Sequence, residues 1–193
     1  MIDDNYEKTF VVKMAISSRN EAQLLRFLSI IIDDENLSLS FDNLMTIKPE
    51  LMMIAHNPIL YLLNWRLEHW GVIQDCDGVV KSVQNVEHLF DSSNGKYVEY
   101  LQYTTLFNVP VKLFMEISNY FNNLKFEIIF IKNDLNVGGK ITIKNGEIKQ
   151  KFIINCVDRN YIDLIKIGDY MYDDNYNNFH FDVILQNIRS ELN

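Results

Sequence analysis

The sequence has few cysteines and prolines, and it lacks zinc-ligand clusters, phosphate-binding loops and nucleophile motifs. Cys76 and Cys156 are its only thiols, and they lie too far apart for the Cys-x-x-Cys spacing of a metal knuckle. Small secreted domains carry more cysteines, evenly paired. Zinc sites need clustered ligands, whereas the four histidines are scattered along the chain. We therefore expect neither a disulfide framework, nor a bound metal, nor a cofactor.

A membrane span and a basic charge balance are also missing. No stretch approaches the roughly 20 consecutive apolar residues that a spanning helix requires. The acidic start, Met1 to Asp4, lacks the basic-then-apolar order of a signal peptide, so we expect a cytoplasmic protein. The net charge of −8 disfavours nucleic acid, which binds cationic surfaces. It favours a protein partner with a basic surface.

What the chain does contain is a core-forming sequence of 193 residues, of which 48% are hydrophobic. In the first half, residues 9–16 are predicted to form a strand. A Ser18–Glu21 capping box is predicted to open a helix, and residues 37–41 to form a short strand. Asn57 and Pro58 are a typical helix start, and Gly71 a typical helix end. One stripe of this helix is predicted to be buried, formed by Ile59, Leu63, Leu67 and Trp70.

In the second half, residues 97–107 are predicted to form a strand and Pro110 to open a helix. Residues 124–131 form another strand, and Asn145-Gly146 predicts a hairpin between residues 140–144 and 148–156. This order predicts an α+β sandwich, a mostly antiparallel sheet with helices on one face. Residues 1–156 would form this domain. Residues 157–193 would form an acidic extension with a terminal helix docked on it.

Two segments of the chain resemble the YubB ferredoxin-like family, small proteins found mostly in phages and plasmids. In the first, Phe41 to Leu44 and Lys48 to Leu51 precede Asn64-Trp65-Arg66 and His69-Trp70-Gly71. The second, Tyr103 to Pro110, matches a Phe-x-Thr-Ala-Trp-Ser-Pro-Pro motif loosely through Thr105, Phe107 and Pro110. The resemblance implies a ferredoxin-like fold over residues 9–156 and an origin in a mobile genetic element. It implies no activity.

The helix end and the acidic turn after it form one candidate site, made of Trp65, Arg66, His69, Trp70 and Asp75. Trp65, Arg66 and His69 share a helix face, and Asp75 would fold back towards them. A histidine beside carboxylates is a plausible general base or ligand site. The alternative is structural, with His69 stabilising the helix C-terminus and the tryptophans in the core. Thr105 and Phe107 join the candidate binding residues from the second segment.

The thiol between Asp75 and Asp77 is expected to be unreactive. Two neighbouring carboxylates disfavour the thiolate form and raise the pKa of Cys76, which makes it a poor nucleophile. The pattern Asp75-x-Asp77-Gly78 also resembles the start of a calcium loop, but the bidentate glutamate that such a loop needs is missing at its twelfth position.

A lysine-rich hairpin is the second candidate site. Six lysines outnumber three acids across residues 125–151, and the aromatic residues Tyr100, Tyr103 and Phe107 could stack on bases. Edge-strand lysines that prevent aggregation are the alternative explanation. Three hypotheses follow. We favour a non-enzymatic protein-binding factor of a mobile element, with a host defence component as one possible target. The others are a single-strand nucleic-acid binder and an enzyme acting at the Trp65–His69–Trp70 cluster.

Overall fold

The computed structural model of the protein describes residues 8–33, 38–76, 89–91, 95–132 and 137–155. In these residues the strands are β1 (Thr9–Ser18), β2 (Ile32–Asp33), β3 (Ser38–Leu39), β4 (Leu89–Asp91), β5 (Lys96–Leu106), β6 (Lys125–Lys132), β7 (Val137–Lys144) and β8 (Glu147–Asn155). The helices are α1 (Glu21–Ile31), α2 (Phe41–Leu44), α3 (Pro49–Ile54), α4 (Pro58–His69) and α5 (Val111–Tyr120).

Six strands form one antiparallel sheet in the order β4-β5-β1-β6-β7-β8, and β2 pairs with β3 in a separate short ribbon. The first strand of the chain thus lies in the middle of the sheet. Every pairing is antiparallel, which confirms the predicted α+β class and the predicted sheet type.

The helices cover one face of this sheet, which we call the helix face. Apolar residues alternate along β1, so that Met14 is fully buried and lies opposite Leu101 of β5 and Ile128 of β6. The ring of Phe126 contacts Phe27 of α1 at 5.4 Å and Phe114 of α5 at 5.3 Å between centroids. The core is therefore a layer between the helix face and α1 and α5, as predicted.

The strongest local signals of the sequence are confirmed. β1, β5, β6 and the β7–β8 hairpin lie where they were predicted, within a few residues at each end. Asn145 and Gly146 both have positive φ angles, 51° and 72°, as a two-residue hairpin turn requires. The predicted C-terminal extension, residue Cys156 and the turn residues Asp77 and Gly78 lie outside the described residues.

One local prediction is wrong and another is right only in part. The cap of α1 is Asn20, whose side chain accepts a hydrogen bond from the Gln23 N–H at 3.2 Å, and not Ser18. Ser18 remains in β1 and its hydroxyl accepts from the Asn20 N–H, so it shapes the turn before the helix. The predicted strand at residues 37–41 shrinks to β3, because Phe41 opens α2 and turns its side chain into the core.

The predicted stripe of α4 is right in part: Trp70 is fully buried and Leu63 is partly buried, whereas Ile59 and Leu67 are exposed. Helix α4 begins after its Asn57 cap and ends before Gly71 (φ 81°), as predicted, yet none of its residues is fully buried. Ile59 is 72% exposed and Leu67 50% exposed. A different stripe, which contains Trp65 and Arg66, faces the rest of the domain and is partly buried.

Candidate functional site

The end of α4 gathers the four residues that the sequence singled out there. Trp70 is fully buried, and its indole N–H donates to the Met45 carbonyl at 3.1 Å. Trp65 packs edge-on against Trp70, with 6.1 Å between ring centroids, and its ring lies 4.6 Å from that of His69. Trp70 is a core residue that closes the hydrophobic layer, which is the structural alternative considered for it.

Arg66 lies between the core and solvent. Its guanidinium pairs with the Asp42 carboxylate of α2 and lies 4.6 Å from the centroid of the Trp70 ring, a cation–π distance. The pKa of Asp42 is raised, chiefly by burial and further by the nearby Asp75 carboxylate, against the opposing effect of Arg66. The pair joins α4 to α2, and the two charges neutralise each other.

Asp75 does not join His69. Its carboxylate accepts hydrogen bonds from Ser40 Oγ (2.8 Å), the Phe41 N–H (2.6 Å) and the Cys76 N–H (2.8 Å). The side chain of Ser40, the N-cap residue of α2, makes no capping bond to this helix, so Asp75 supplies a carboxylate to its free N–H groups from outside. Asp75 lies close enough to Asp42, the partner of Arg66, to raise its pKa, but its hydrogen bonds go to Ser40, Phe41 and Cys76 and not to His69. The Asp75 carboxylate forms hydrogen bonds with backbone N–H groups of α2.

His69 finds another carboxylate. His69 Nδ1 lies 3.4 Å from Glu116 Oε1 of α5. Both side chains are more than a third exposed to solvent. It occupies the last turn of α4, where a partly positive imidazole interacts favourably with the helix dipole. Surface pairs of this kind contribute at most about 1 kcal/mol. The contact connects α4 to α5 and has the character of a structural link.

The thiol and the phenol near this site are both held in their neutral forms. Burial raises the pKa of Cys76, and the Asp75 carboxylate raises it further, so the predicted poor nucleophile is confirmed. Cys76 Sγ lies 3.1 Å from the Leu39 carbonyl, to which its S–H can donate. Tyr103 is fully buried on the helix face, which raises its pKa well above the usual value. Its hydroxyl has no partner within the described chain.

Thr105 lies near the end of β5 and Phe107 in the turn that follows it, and neither belongs to the tryptophan cluster. Thr105 Oγ1 donates to the Asn108 carbonyl at 2.7 Å, and the Asn108 amide lies 3.4 Å from the Gly71 carbonyl at the end of α4. Phe107 has a positive φ of 70° and is half-exposed, with Lys8 Nζ 5.6 Å from its ring centroid. The turn therefore contacts Gly71, the residue at the end of α4.

The lysine hairpin is partly neutralised on the second face of the sheet. Glu127 bonds both Lys125 (3.1 Å) and Lys140 (3.0 Å). Burial raises the pKa of Glu127, but these lysines outweigh it and leave the pKa below its usual value. Tyr103, one of the proposed stacking residues, is buried and cannot contact a base. Tyr100 remains half-exposed, 5.9 Å from Lys13.

Sequence reasoning missed the most exposed apolar surface of the described chain, the outer face of α3 and α4. Met53 is 85% exposed, Ile54 81% and Ile59 72%. Of the thirteen large hydrophobic residues that are exposed in the described part, seven lie between Leu51 and Leu67. We call these seven the α3–α4 face: Leu51, Met53, Ile54, Ile59, Leu60, Tyr61 and Leu67. The sequence does indicate this surface, because α4 carries apolar residues on more than one side. Packing against the rest of the domain requires only one apolar side.

Two further observations bound the kind of site. The described ranges contain no group of three or more histidines, cysteines or carboxylates placed to hold a metal ion. No helix within them is long and apolar enough to cross a membrane.

Comparisons with protein families, with curated proteins and with solved structures found no match to the chain. The resemblance to YubB-like proteins therefore stays a prediction.

Proposed function

We propose that the protein is a non-enzymatic, cytoplasmic binding factor that docks a partner protein on the α3–α4 face. The observation that carries the proposal is the concentration of exposed apolar side chains on two helices without a single fully buried residue. A concentration of exposed apolar side chains on one part of a folded domain is typical of a protein interaction surface. Isolated exposed hydrophobic residues, as elsewhere on this domain, need no such explanation.

The way α4 is held supports the same reading. Polar and aromatic contacts attach its inner side: the Arg66–Asp42 pair, the Trp65–Trp70 packing and the His69–Glu116 contact. These contacts fix the helix without using its outer apolar residues. A helix held in this way presents a preorganised surface, which lowers the entropic cost of binding.

The partner would have an apolar patch surrounded by basic residues. The α3–α4 face itself is apolar, so its contact must be apolar too. The net charge of −8 favours a basic surface around that contact, by electrostatic steering. The origin in a mobile element, and a host defence component as target, rest on the family resemblance alone.

A ferredoxin-like fold is part of this proposal. The order β4-β5-β1-β6, with α1 following β1 and α5 joining β5 to β6, agrees with the β-α-β-β-α-β pattern of that fold. The β7–β8 hairpin would then be an addition at one edge, next to β6.

The test is capture of partners by the tagged full chain from lysate of its native host, compared with the double variant Ile54→Ser/Ile59→Ser. We expect the wild-type chain to retain a stoichiometric protein that survives nuclease treatment, and the double variant to lose it. Tyr100→Ser is the matched control, because it removes an exposed aromatic from the second face of the sheet. Equal capture by wild type and double variant would refute the proposal.

The same experiment addresses the single-strand nucleic-acid hypothesis, for which the half-exposed Tyr100 beside Lys13 is the supporting observation. Base stacking on an aromatic side chain is sequence-tolerant and is lost on substitution. If nuclease removes the captured material and Tyr100→Ser abolishes capture, the second face of the sheet is the binding surface. The enzyme hypothesis has less support, because Asp75, Asp42 and Arg66 are engaged with one another or with backbone groups.

A further inference from the structure

A groove of about 290 Å³ opens at the β8 end of the helix face. Its floor is apolar and aromatic, with Phe10 and Phe130 packed against each other at 6.0 Å between centroids. Edge strand β8 supplies one wall, where Ile148 and Ile153 are each 39% exposed. We call it the β8 groove.

The charged residues that line this groove are all basic. Lys112 of α5 and Lys151 of β8 line it, and its described lining contains no acidic residue. Lys112 Nζ lies 3.5 Å from the Leu67 carbonyl, while Lys151 has no ion pair within the described chain. An occupant that offers carboxylates beside apolar side chains would match this lining.

The chain itself carries such a sequence directly beyond the groove. Ile153 lines the groove, β8 ends at Asn155, and residues 157–193 follow. That segment has seven acidic residues against three basic ones, and two of the acids, Asp163 and Asp182, have a large apolar residue on each side. Each residue of extended chain spans about 3.3–3.6 Å, so a few residues are enough to return to the groove.

We propose that the β8 groove is the docking site for the acidic segment 157–193 of the same chain. Apolar side chains of the segment fill the space over Phe10, Ile148 and Ile153, and its carboxylates pair with Lys151 and Lys112. The covered surface gains apolar burial that the exposed isoleucines lack on their own. The proposal is independent of partner binding at the α3–α4 face.

Zero-length carbodiimide cross-linking of the full chain tests it, because the reagent joins a lysine amine to a carboxylate only when the two are in contact. The protein is prepared as a mixture of 14N and 15N material, and cross-linked peptides are identified by mass spectrometry. We expect isopeptide bonds from Lys151 and Lys112 to carboxylates at or beyond Asp163, with both peptides carrying the same isotope. Bonds to Asp158 do not count, since it is too close to Lys151 along the chain.

Charge reversal provides the matched comparison. In Lys151→Glu, the yield of Lys112 bonds to the segment should fall by about fivefold, because one attractive pair becomes repulsive. Lys144→Glu makes the same charge change on the second face of the sheet and should leave that yield unchanged. Circular dichroism spectra of both variants should match the wild type, because both lysines are exposed.

Three outcomes would overturn the proposal. One is the absence of bonds from Lys151 and Lys112 to residues at or beyond Asp163. Another is mixed-isotope bonds, which would place the segment of a second copy in the groove. The third is an equal loss of yield in Lys151→Glu and Lys144→Glu, which would mean that general electrostatics and not the groove attract the segment.

Discussion

The two halves of the helical layer are built differently. Helices α1 and α5 each bury four residues against the sheet, whereas α3 and α4 bury none completely. The first pair is held by apolar packing around Phe126, and α4 by an ion pair, stacked rings and a few hydrogen bonds. Apolar side chains that pack against the sheet are buried and cannot also contact a partner. Polar anchoring on one side of a helix leaves the other side free to bind.

The largest effect should come from the packed half. Phe126→Ala removes a fully buried ring that contacts both Phe27 and Phe114, and should lower the free energy of unfolding by about 3–5 kcal/mol. Chemical denaturation followed by circular dichroism measures it. Phe126→Leu is the control and should lose considerably less, since most of the volume is kept. A loss below about 1 kcal/mol for the alanine variant would contradict the claim that apolar packing around Phe126 holds α1 and α5.

A smaller effect is expected at the start of α2. Asp75→Ala leaves the Phe41 and Cys76 N–H groups without their acceptor, and should cost about 1–3 kcal/mol. Glu68→Ala, an exposed carboxylate on α4, is the matched control and should change stability little. If both variants unfold at the same denaturant concentration, Asp75 does not organise α2.

A pH-dependent effect is expected on the second face of the sheet. The folded pKa of Glu127 lies below the ordinary 4.5, so its stabilising contribution is present above that value and is lost as pH falls through the folded pKa. The wild type should therefore lose more stability between neutral and strongly acidic pH than Glu127→Gln. Thermal unfolding at a series of pH values measures this, and parallel curves for the two proteins would contradict it.

The smallest effect should come from the α3–α4 face. Ile59→Ser removes an isoleucine that is 72% exposed, and the free energy of unfolding should change by no more than about 0.5 kcal/mol. The same denaturation experiment applies, with Phe126→Ala as the reference. A loss approaching that of the core variant would mean that the face is packed in solution, and would remove the basis of the proposed function.

The sequence predicted the sheet better than the site. Strands β1, β5, β6 and the β7–β8 hairpin were recognised because alternation and Asn145-Gly146 are local signals. The gathering of Trp65, Arg66, His69 and Trp70 was also local, since all four lie within one helix and its cap. The partners of these residues were not predictable, because Asp42, Met45 and Glu116 come from elements whose placement depends on the whole fold.

The errors have a common cause. The predicted stripe on α4 assumed that its apolar residues face the core together, but Ile59 and Leu67 belong to the α3–α4 face and lie outward. Asp75 was expected to fold back towards the end of α4, but its carboxylate accepts hydrogen bonds from free N–H groups of α2. Short-range patterns do not reveal which of several acceptors or surfaces a folded chain uses.

The central position of the first strand has a consequence for how the protein is made. β1 ends at Ser18, but both of its neighbours in the sheet, β5 and β6, lie between Lys96 and Lys132. During synthesis β1 must therefore wait, without its partners, until the residues up to Lys132 have been made. Long-range pairing of this kind slows folding and exposes apolar surface to aggregation. A nascent chain stalled before residue 96 should thus need a chaperone to remain in solution.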